Sequence, residues 1–231
     1  MESNVLEQIA RLGGSYVPGR VEPLTCDDGE GYGPWGEVLV DRHGGGRGGP
    51  VVEELLAVSF PAMLQERLEP LPWDPTGLDA LSAVVEQYPE VVGEDDEVNV
   101  DLMVDRVFNS PGGFCHQFTY DPWVFAPFTP GSPTSGELDG LVTEESLRET
   151  FKISSDVAEP LEFVMIAHSE GFPNFYVVAT SDPNPGNPNV FSTDHETFFW
   201  EDVEPAGTLA DVLAKFTTPT ELRQYLAEPA A

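Results

Sequence analysis

The chain has 231 residues, and its hydrophobic content of 40% with 10% aromatic residues is that of a folded protein rather than a disordered acidic one. Its 41 acidic and 10 basic residues give a formal net charge of −31, which disfavours nucleic acid and anionic membranes as partners, because Lys and Arg bind phosphates. The charge favours a basic protein as partner, and it equally suits plain solubility or a salty cytoplasm.

The two cysteines and the N-terminal residues bear on the compartment. Cys26 and Cys115 are too few for a disulfide framework and lack C-x-x-C spacing, so we expect reduced thiols. The N-terminal sequence has no cationic segment followed by an apolar stretch, and therefore no signal peptide is expected. No apolar segment approaches the length of a membrane span, and the expected reduced thiols predict a cytoplasmic protein.

Residues 1–110 are predicted to be helical and rich in loops. A short helix begins the chain, with Ser3 as its N-cap and with Val5 and Ile9 on its apolar face. A region rich in Gly and Pro follows, in which 37–41 is the one predicted strand. We interpret this region as a divergent N-terminal part of the fold.

The second part of this region has clearer helical spacing. Apolar residues recur at helical intervals over 51–68 with an interruption at Pro61, which predicts two short helices or a single kinked one. Asp74-Pro75 is typical of a helix start with proline in the first turn. Over 98–104 the spacing fits a strand and a helix equally, and both alternatives stay open.

A sheet core is predicted over residues 114–205. Alternating aromatic residues indicate a pair of strands that turn at Asp121-Pro122. A short helix starts at Thr143, and extended apolar runs then predict a series of strands. These strands are 161–168, 175–180, 189–193 and 197–203.

Two helices are predicted over residues 208–227. Thr208 caps the first, with Asp211 in the reciprocal position of a capping box. Thr218 caps the second, and Pro219 is its first residue. All these elements are expected to belong to a single domain, 1–231.

None of the motif matches supports a cofactor or a catalytic site. Residues 43–46 and 31–36 match an oxyanion loop and a dinucleotide loop by letters, but the nucleophile elbow and the strand-to-helix context are missing. The four histidines lack the i, i+4 spacing of a zinc helix. We therefore expect no cofactor and no metal, and a small hydrolase that uses carboxylates with His195 or His168 is the alternative.

Aromatic residues beside acids predict a protein-binding surface, because interfaces place aromatic anchors inside a polar rim. The candidates are an aromatic-acidic stretch, a hairpin tip and an acidic run. The predicted partner-binding residues are Trp200, Glu201, Asp202, Glu204, Asp194, Glu196, Asp95, Asp96 and Glu97. A third interpretation, which rests on charge alone, is an acidic regulatory or DNA-mimic scaffold.

Residues 161–216 resemble the C-terminal part of the SMI1/KNR4-like family, also called the SUKH superfamily. The likeness lies in the order of the segments FVMIAH, SEGFPN, FYVVAT, SDPNPGNPN and VFSTDHE, which the helical segment TLADVLAKF follows. The resemblance implies an α+β domain with a twisted antiparallel sheet and helices packed on one face.

The resemblance also implies a function. Bacterial domains of this family are commonly immunity proteins that bind and neutralise toxins. The expected partner is accordingly a basic protein, a cognate toxin, and the expected mechanism is steric and electrostatic occlusion without chemistry by this chain. No residue role transfers, because the family's contact residues form no motif.

Overall fold

The helices and strands are defined by a computed structural model that describes residues 1–19, 49–66, 82–93, 97–109, 117–125, 143–158, 161–169, 174–193 and 203–227. The helices are α1 (Ser3–Arg11), α2 (Pro50–Leu56), α3 (Ser82–Gln87), α4 (Val100–Asn109), α5 (Glu144–Thr150), α6 (Leu209–Ala214) and α7 (Pro219–Ala227). The strands are β1 (Ser15–Tyr16), β2 (Val58–Ser59), β3 (Leu64–Glu66), β4 (Gln117–Phe125), β5 (Phe163–Ser169), β6 (Phe175–Ala179), β7 (Asn189–Thr193), β8 (Glu204–Thr208) and β9 (Phe216–Thr217).

The chain has an α+β fold, as the sequence predicted. Helices and strands are both present, and the strand pairs with a defined register are antiparallel. The contacts divide the chain into two compact units. Unit 1 comprises Met1–Pro61 and Thr119–Leu213, and unit 2 comprises Ala62–Phe118 and Ala214–Ala231. Whether they fold together as the expected single domain stays a prediction.

Unit 1 is built on a sheet with the strand order β8-β7-β6-β5-β4. Strands β5 and β6 pair through Met165 and Val177, and a bulge follows between Met165 and Ala167. On one face, the aromatic rings of Phe163 and Phe191 pack against Phe151, which ends α5. The alternate residues Val164 and Val178 are also fully buried, so these strands are covered on both faces.

Unit 2 contains a helical core and a small sheet. Strand β3 lies between β4 and β9, and Leu64 is paired with Phe118. The apolar side chains of α3, α4 and α7 form one buried cluster, with Met103 and Val107 completely enclosed. The two helices α4 and α7 come from different segments of the unit, and Arg223 Nε donates to Asp101 Oδ1 at 2.9 Å.

Most predicted elements in the second half of the chain are confirmed. Helix α5 begins after Thr143, and strands β5, β6 and β7 match three of the predicted strands. Both C-terminal caps are present: Thr208 N donates to Asp211 Oδ2 at 2.9 Å, and Glu221 N donates to Thr218 Oγ1 at 3.2 Å. Local signals sufficed here because a capping residue and the helix it starts are neighbours in sequence.

Two predictions in the first half are wrong. Residues 51–68 do not form two helices: α2 ends at Leu56, and the described residues after Pro61 include the strand β3. The reason is that β3 pairs with two strands that lie far away in sequence, which helical spacing does not reveal. Ser3 is not an N-cap, because it is the first helical residue and Glu2 precedes it without a side-chain cap.

The strand pair at Asp121-Pro122 is also wrong, since β4 continues through both residues as one strand. Proline is compatible with this path because its fixed φ lies within the range of extended backbone. Of the two alternatives for 98–104, a strand or a helix, the structure has a helix from Val100 onwards, while Val98 forms a bridge with Val92. The predicted strand 37–41, residues 197–202 of the predicted strand 197–203 and the helix start at Asp74-Pro75 lie outside the described residues.

Candidate partner-binding surface

Two of the nine predicted partner-binding residues belong to the described part of the chain. Glu204 is exposed at the start of β8, opposite Ser192 of β7. Glu97 is exposed, and its carbonyl oxygen accepts a hydrogen bond from Gly93 N at 2.8 Å. The two residues belong to different units. The predicted residues outside the described ranges are Asp194, Glu196, Trp200, Glu201, Asp202, Asp95 and Asp96.

Glu204 stands on the last strand of the unit 1 sheet. Glu204 and Pro205 are exposed, and Pro205 has no N–H to offer to a further strand. The ladder is shifted between Val190 and Phe191, and Gly207 has a φ of +110°. A charge, a proline and a bulge are the features that prevent an edge strand from pairing with another chain. A partner at this edge would therefore have to bind through side chains.

The loop between β6 and β7 carries polar residues whose groups are used within the fold. Asp182 Oδ1 accepts from Asn184 N at 2.8 Å, and Asp182 Oδ2 accepts from both the backbone and side-chain nitrogens of Asn189 at 3.0 and 2.9 Å. Asn184 Nδ2 donates to Glu2 Oε1 at 2.9 Å. Since both carboxylate oxygens of Asp182 accept N–H groups, this residue fixes the loop.

A further residue of the same loop, Asn187, has a structural role that the sequence analysis did not predict. It is buried, and its Oδ1 accepts a hydrogen bond from Ala210 N at 3.0 Å in the first turn of α6. The loop therefore supplies an acceptor for one of the helix N–H groups that have no partner within the helix. The signal was the concentration of Asn, Asp and Pro, because Asn and Asp side chains bond to backbone groups in turns and Pro fixes φ there.

The four arginines of the described ranges are held by internal contacts. Arg11 donates to Leu213 O at 2.9 Å, and Arg148 Nη1 and Nη2 donate to Ser154 O at 2.9 Å and Val157 O at 3.0 Å. The other contacts are ion pairs of Arg148 with Glu144, Arg106 with Glu90 and Arg223 with Asp101. Arginine charge in these ranges is thus used to satisfy carbonyls and to neutralise a few acids.

Two tyrosine hydroxyls are bonded within unit 1. Tyr16 Oη donates to Glu54 Oε2 at 2.8 Å, and the pKa of Tyr16 is raised by partial burial and then by this carboxylate. Tyr120 Oη donates to Leu55 O at 3.0 Å, and burial of the hydroxyl raises the pKa of Tyr120 far above its ordinary value. A phenol that keeps its proton in this way is a structural donor rather than a base.

One of the four histidines that a hydrolase or a metal site could use lies in the part of the chain that the structure describes. His168 is half-buried on β5 opposite Phe175, while His43, His116 and His195 lie outside that part. Within the same residues, no group of three or more His, Cys, Asp or Glu side chains is placed to hold a metal ion. None of the helices defined here combines the length and apolar character needed to cross a bilayer.

Comparison of this chain with family models, with curated proteins and with solved structures gives no match.

Proposed function

We propose that this protein binds a basic protein and performs no chemistry of its own. In this proposal it acts as an immunity protein of the SMI1/KNR4-like kind, which covers the active site of a cognate toxin. The partner-binding region includes the edge of the unit 1 sheet around Glu204. Charge attraction would steer the encounter, and side chains at the edge would give the contact its specificity.

The observation that supports the proposal is the use of arginine. The arginines of the described ranges are committed to internal carbonyls and to a few ion pairs. Glu204, Glu149 and Glu53 are exposed, and these ion pairs do not include them. Acidic side chains in excess attract a cationic surface over distances of about the Debye length, roughly 8 Å at physiological ionic strength.

The form of the sheet edge further supports binding through side chains. Pro205 and the bulge beside Phe191 prevent strand addition at β8. The same strand keeps Glu204 exposed, next to the acidic-aromatic residues 200–202 in sequence. An interface there would be recognised by its charge and aromatic anchors rather than by main-chain pairing.

The test begins by cross-linking and affinity purification from the native host, followed by mass spectrometry of the captured protein. Association of the purified pair is then measured by stopped-flow at increasing KCl. We expect a basic partner, and an association rate that falls as KCl is raised, because screening removes the steering. A partner without excess basic charge, or a rate that does not respond to KCl, would contradict the proposal.

Matched charge reversals locate the surface. Glu204→Lys should slow association several-fold more than Glu53→Lys, which makes the same charge change on α2. In unit 2, Glu97→Lys is compared with Glu86→Lys, since both residues are exposed. Equal effects within each pair would show that only the total charge matters and would remove Glu204 and Glu97 from the interface.

A further inference from the structure

The negative charge is spread evenly over the two units. Unit 1 contains 27 acidic and 6 basic residues in 156 positions, a net charge of −21. Unit 2 contains 14 acidic and 4 basic residues in 75 positions, a net charge of −10. Both units thus carry roughly one net negative charge for every seven or eight residues. A binding surface explains a local excess of acid, whereas an even distribution acts on the folded state as a whole.

The helices show where this charge acts against the fold. Glu145 and Glu149 are exposed one turn apart on α5. Like charges at i, i+4 destabilise a helix. On α5 the nearby Arg148 is bonded to Glu144 and to two backbone carbonyls, so it does not neutralise the other pair. Helix α5 therefore contains a repulsive pair that its own arginine does not offset.

We propose that dissolved monovalent cations are a stabilising partner of this fold. They accumulate around the carboxylates of both units and screen the repulsion between them, so that salt favours the folded state. Helix α5 is the first element to open when salt is removed, because its like-charged pair adds a local repulsion to the general one. This inference concerns the whole surface and holds whether or not the protein binds a toxin.

The first experiment measures urea unfolding of the full chain by circular dichroism in KCl and, separately, in choline chloride. The salt is varied from about 0.01 M to about 1 M, which shortens the Debye length from roughly 30 Å to 3 Å. We expect the urea midpoint to rise steadily, and to the same extent in both salts. A midpoint that does not respond to salt, or that responds to KCl alone, would overturn the proposal, because screening does not depend on the identity of the cation.

The second experiment tests the repulsion within α5, using two variants of equal net charge. Glu149→Lys replaces a repulsive pair by Glu145 followed by Lys at i+4, a favourable order on a helix. Glu7→Lys makes the same charge change on α1 but places a cation four residues before Arg11. At about 0.01 M KCl, we expect Glu149→Lys to raise the urea midpoint more than Glu7→Lys does, and to respond less to added salt.

Hydrogen exchange at low salt provides the readout for the individual helices. Amides of α5 should exchange several-fold faster at about 0.01 M than at about 0.2 M KCl, whereas those of the buried strands β5 and β6 should change less. Glu149→Lys should reduce the effect in α5. Equal midpoints for the two variants, or an equal salt dependence of exchange in α5 and in β5 and β6, would overturn the assignment to α5.

Discussion

Unit 1 builds its sheet from strands β5, β6, β7 and β8, which follow one another along the chain, whereas the helical core of unit 2 joins segments far apart in sequence. The contact between Arg223 and Asp101 spans 122 residues. In unit 1, a hairpin ladder and a cap are recognised from neighbouring residues. In unit 2, the sequence does not reveal which distant segments pack together, and only the folded structure shows it. The sheet strands β5 to β8 of unit 1 are therefore local in sequence, whereas the helical core of unit 2 is not.

The largest expected effects come from the two cores. Phe163 is fully buried in unit 1, with its ring 4.7 Å from that of Phe151, and Met103 is fully buried in unit 2. Phe163→Ala should cost about 3–5 kcal/mol of unfolding free energy and Met103→Ala about 2–5 kcal/mol, because each leaves a cavity. Val17→Ala, at an exposed apolar residue, is the control and should change stability by less than about 0.5 kcal/mol.

The same variants test whether the units form the single domain predicted from the sequence. In a single cooperative domain, Met103→Ala should lower hydrogen-exchange protection in β5 and β6 as well as in α4. Exchange that rises in unit 2 alone, together with two separate urea transitions, would contradict the single-domain prediction.

Asn187→Ala tests the structural loop of unit 1. The variant leaves Ala210 N without its acceptor in a buried position, so the expected loss is about 1–2 kcal/mol. Asn184→Ala removes a side-chain hydrogen bond to Glu2 at an exposed position. It should lower the free energy of unfolding by only about a few tenths of a kcal/mol. Urea unfolding of both variants makes the comparison, and equal losses would show that capping of α6 by Asn187 contributes little.

Alkaline pH should weaken the fold through Tyr120. Burial raises its folded-state pKa above the ordinary value of 10.0, so the folded state keeps its proton where the unfolded state loses it. Stability is therefore fully present below about pH 10 and falls above it, by up to about 1.4 kcal/mol per pH unit. Urea midpoints between pH 7 and 11 measure the fall.

Tyr120→Phe supplies the control for the pH dependence. The variant loses the hydrogen bond to Leu55 and should be about 1 kcal/mol less stable at neutral pH. Its stability should then fall less steeply than that of the natural chain above pH 10. If the stability of both proteins fell equally with pH, Tyr120 would not be the cause of the alkaline loss of stability.

The smallest expected effects compare the same cap in the two units. Thr143 Oγ1 accepts from Ser146 N at 3.1 Å in α5, and Thr218 Oγ1 accepts from Glu221 N at 3.2 Å in α7. Thr143→Ala and Thr218→Ala should each cost about 1 kcal/mol in urea unfolding. Thr220→Ala, at an exposed helical position, should be neutral or slightly stabilising. Similar losses would show that caps act alike in the local and the non-local architecture.

Predictions from sequence succeeded where neighbouring residues carry the physical cause. Thr208, Thr218 and the apolar strand that became β5 are of this kind, and the α+β class follows from such elements. They were wrong at β3 and at Pro122, because strand pairing between distant segments decided both. For the partner surface, charge and aromatic residues indicated Glu204 and Glu97, while the edge strand that presents Glu204 came from the structure.

By itself, the sequence determined the sign and size of the charge, the main helix caps and the apolar strands of unit 1, because composition and short-range spacing contain that information. Only the tertiary structure decided that Asn187 caps α6, that β3 pairs with β4 and β9, and that the described arginines are held by internal contacts. These depend on bonds between groups far apart in the chain, and such bonds form only when the whole core is packed.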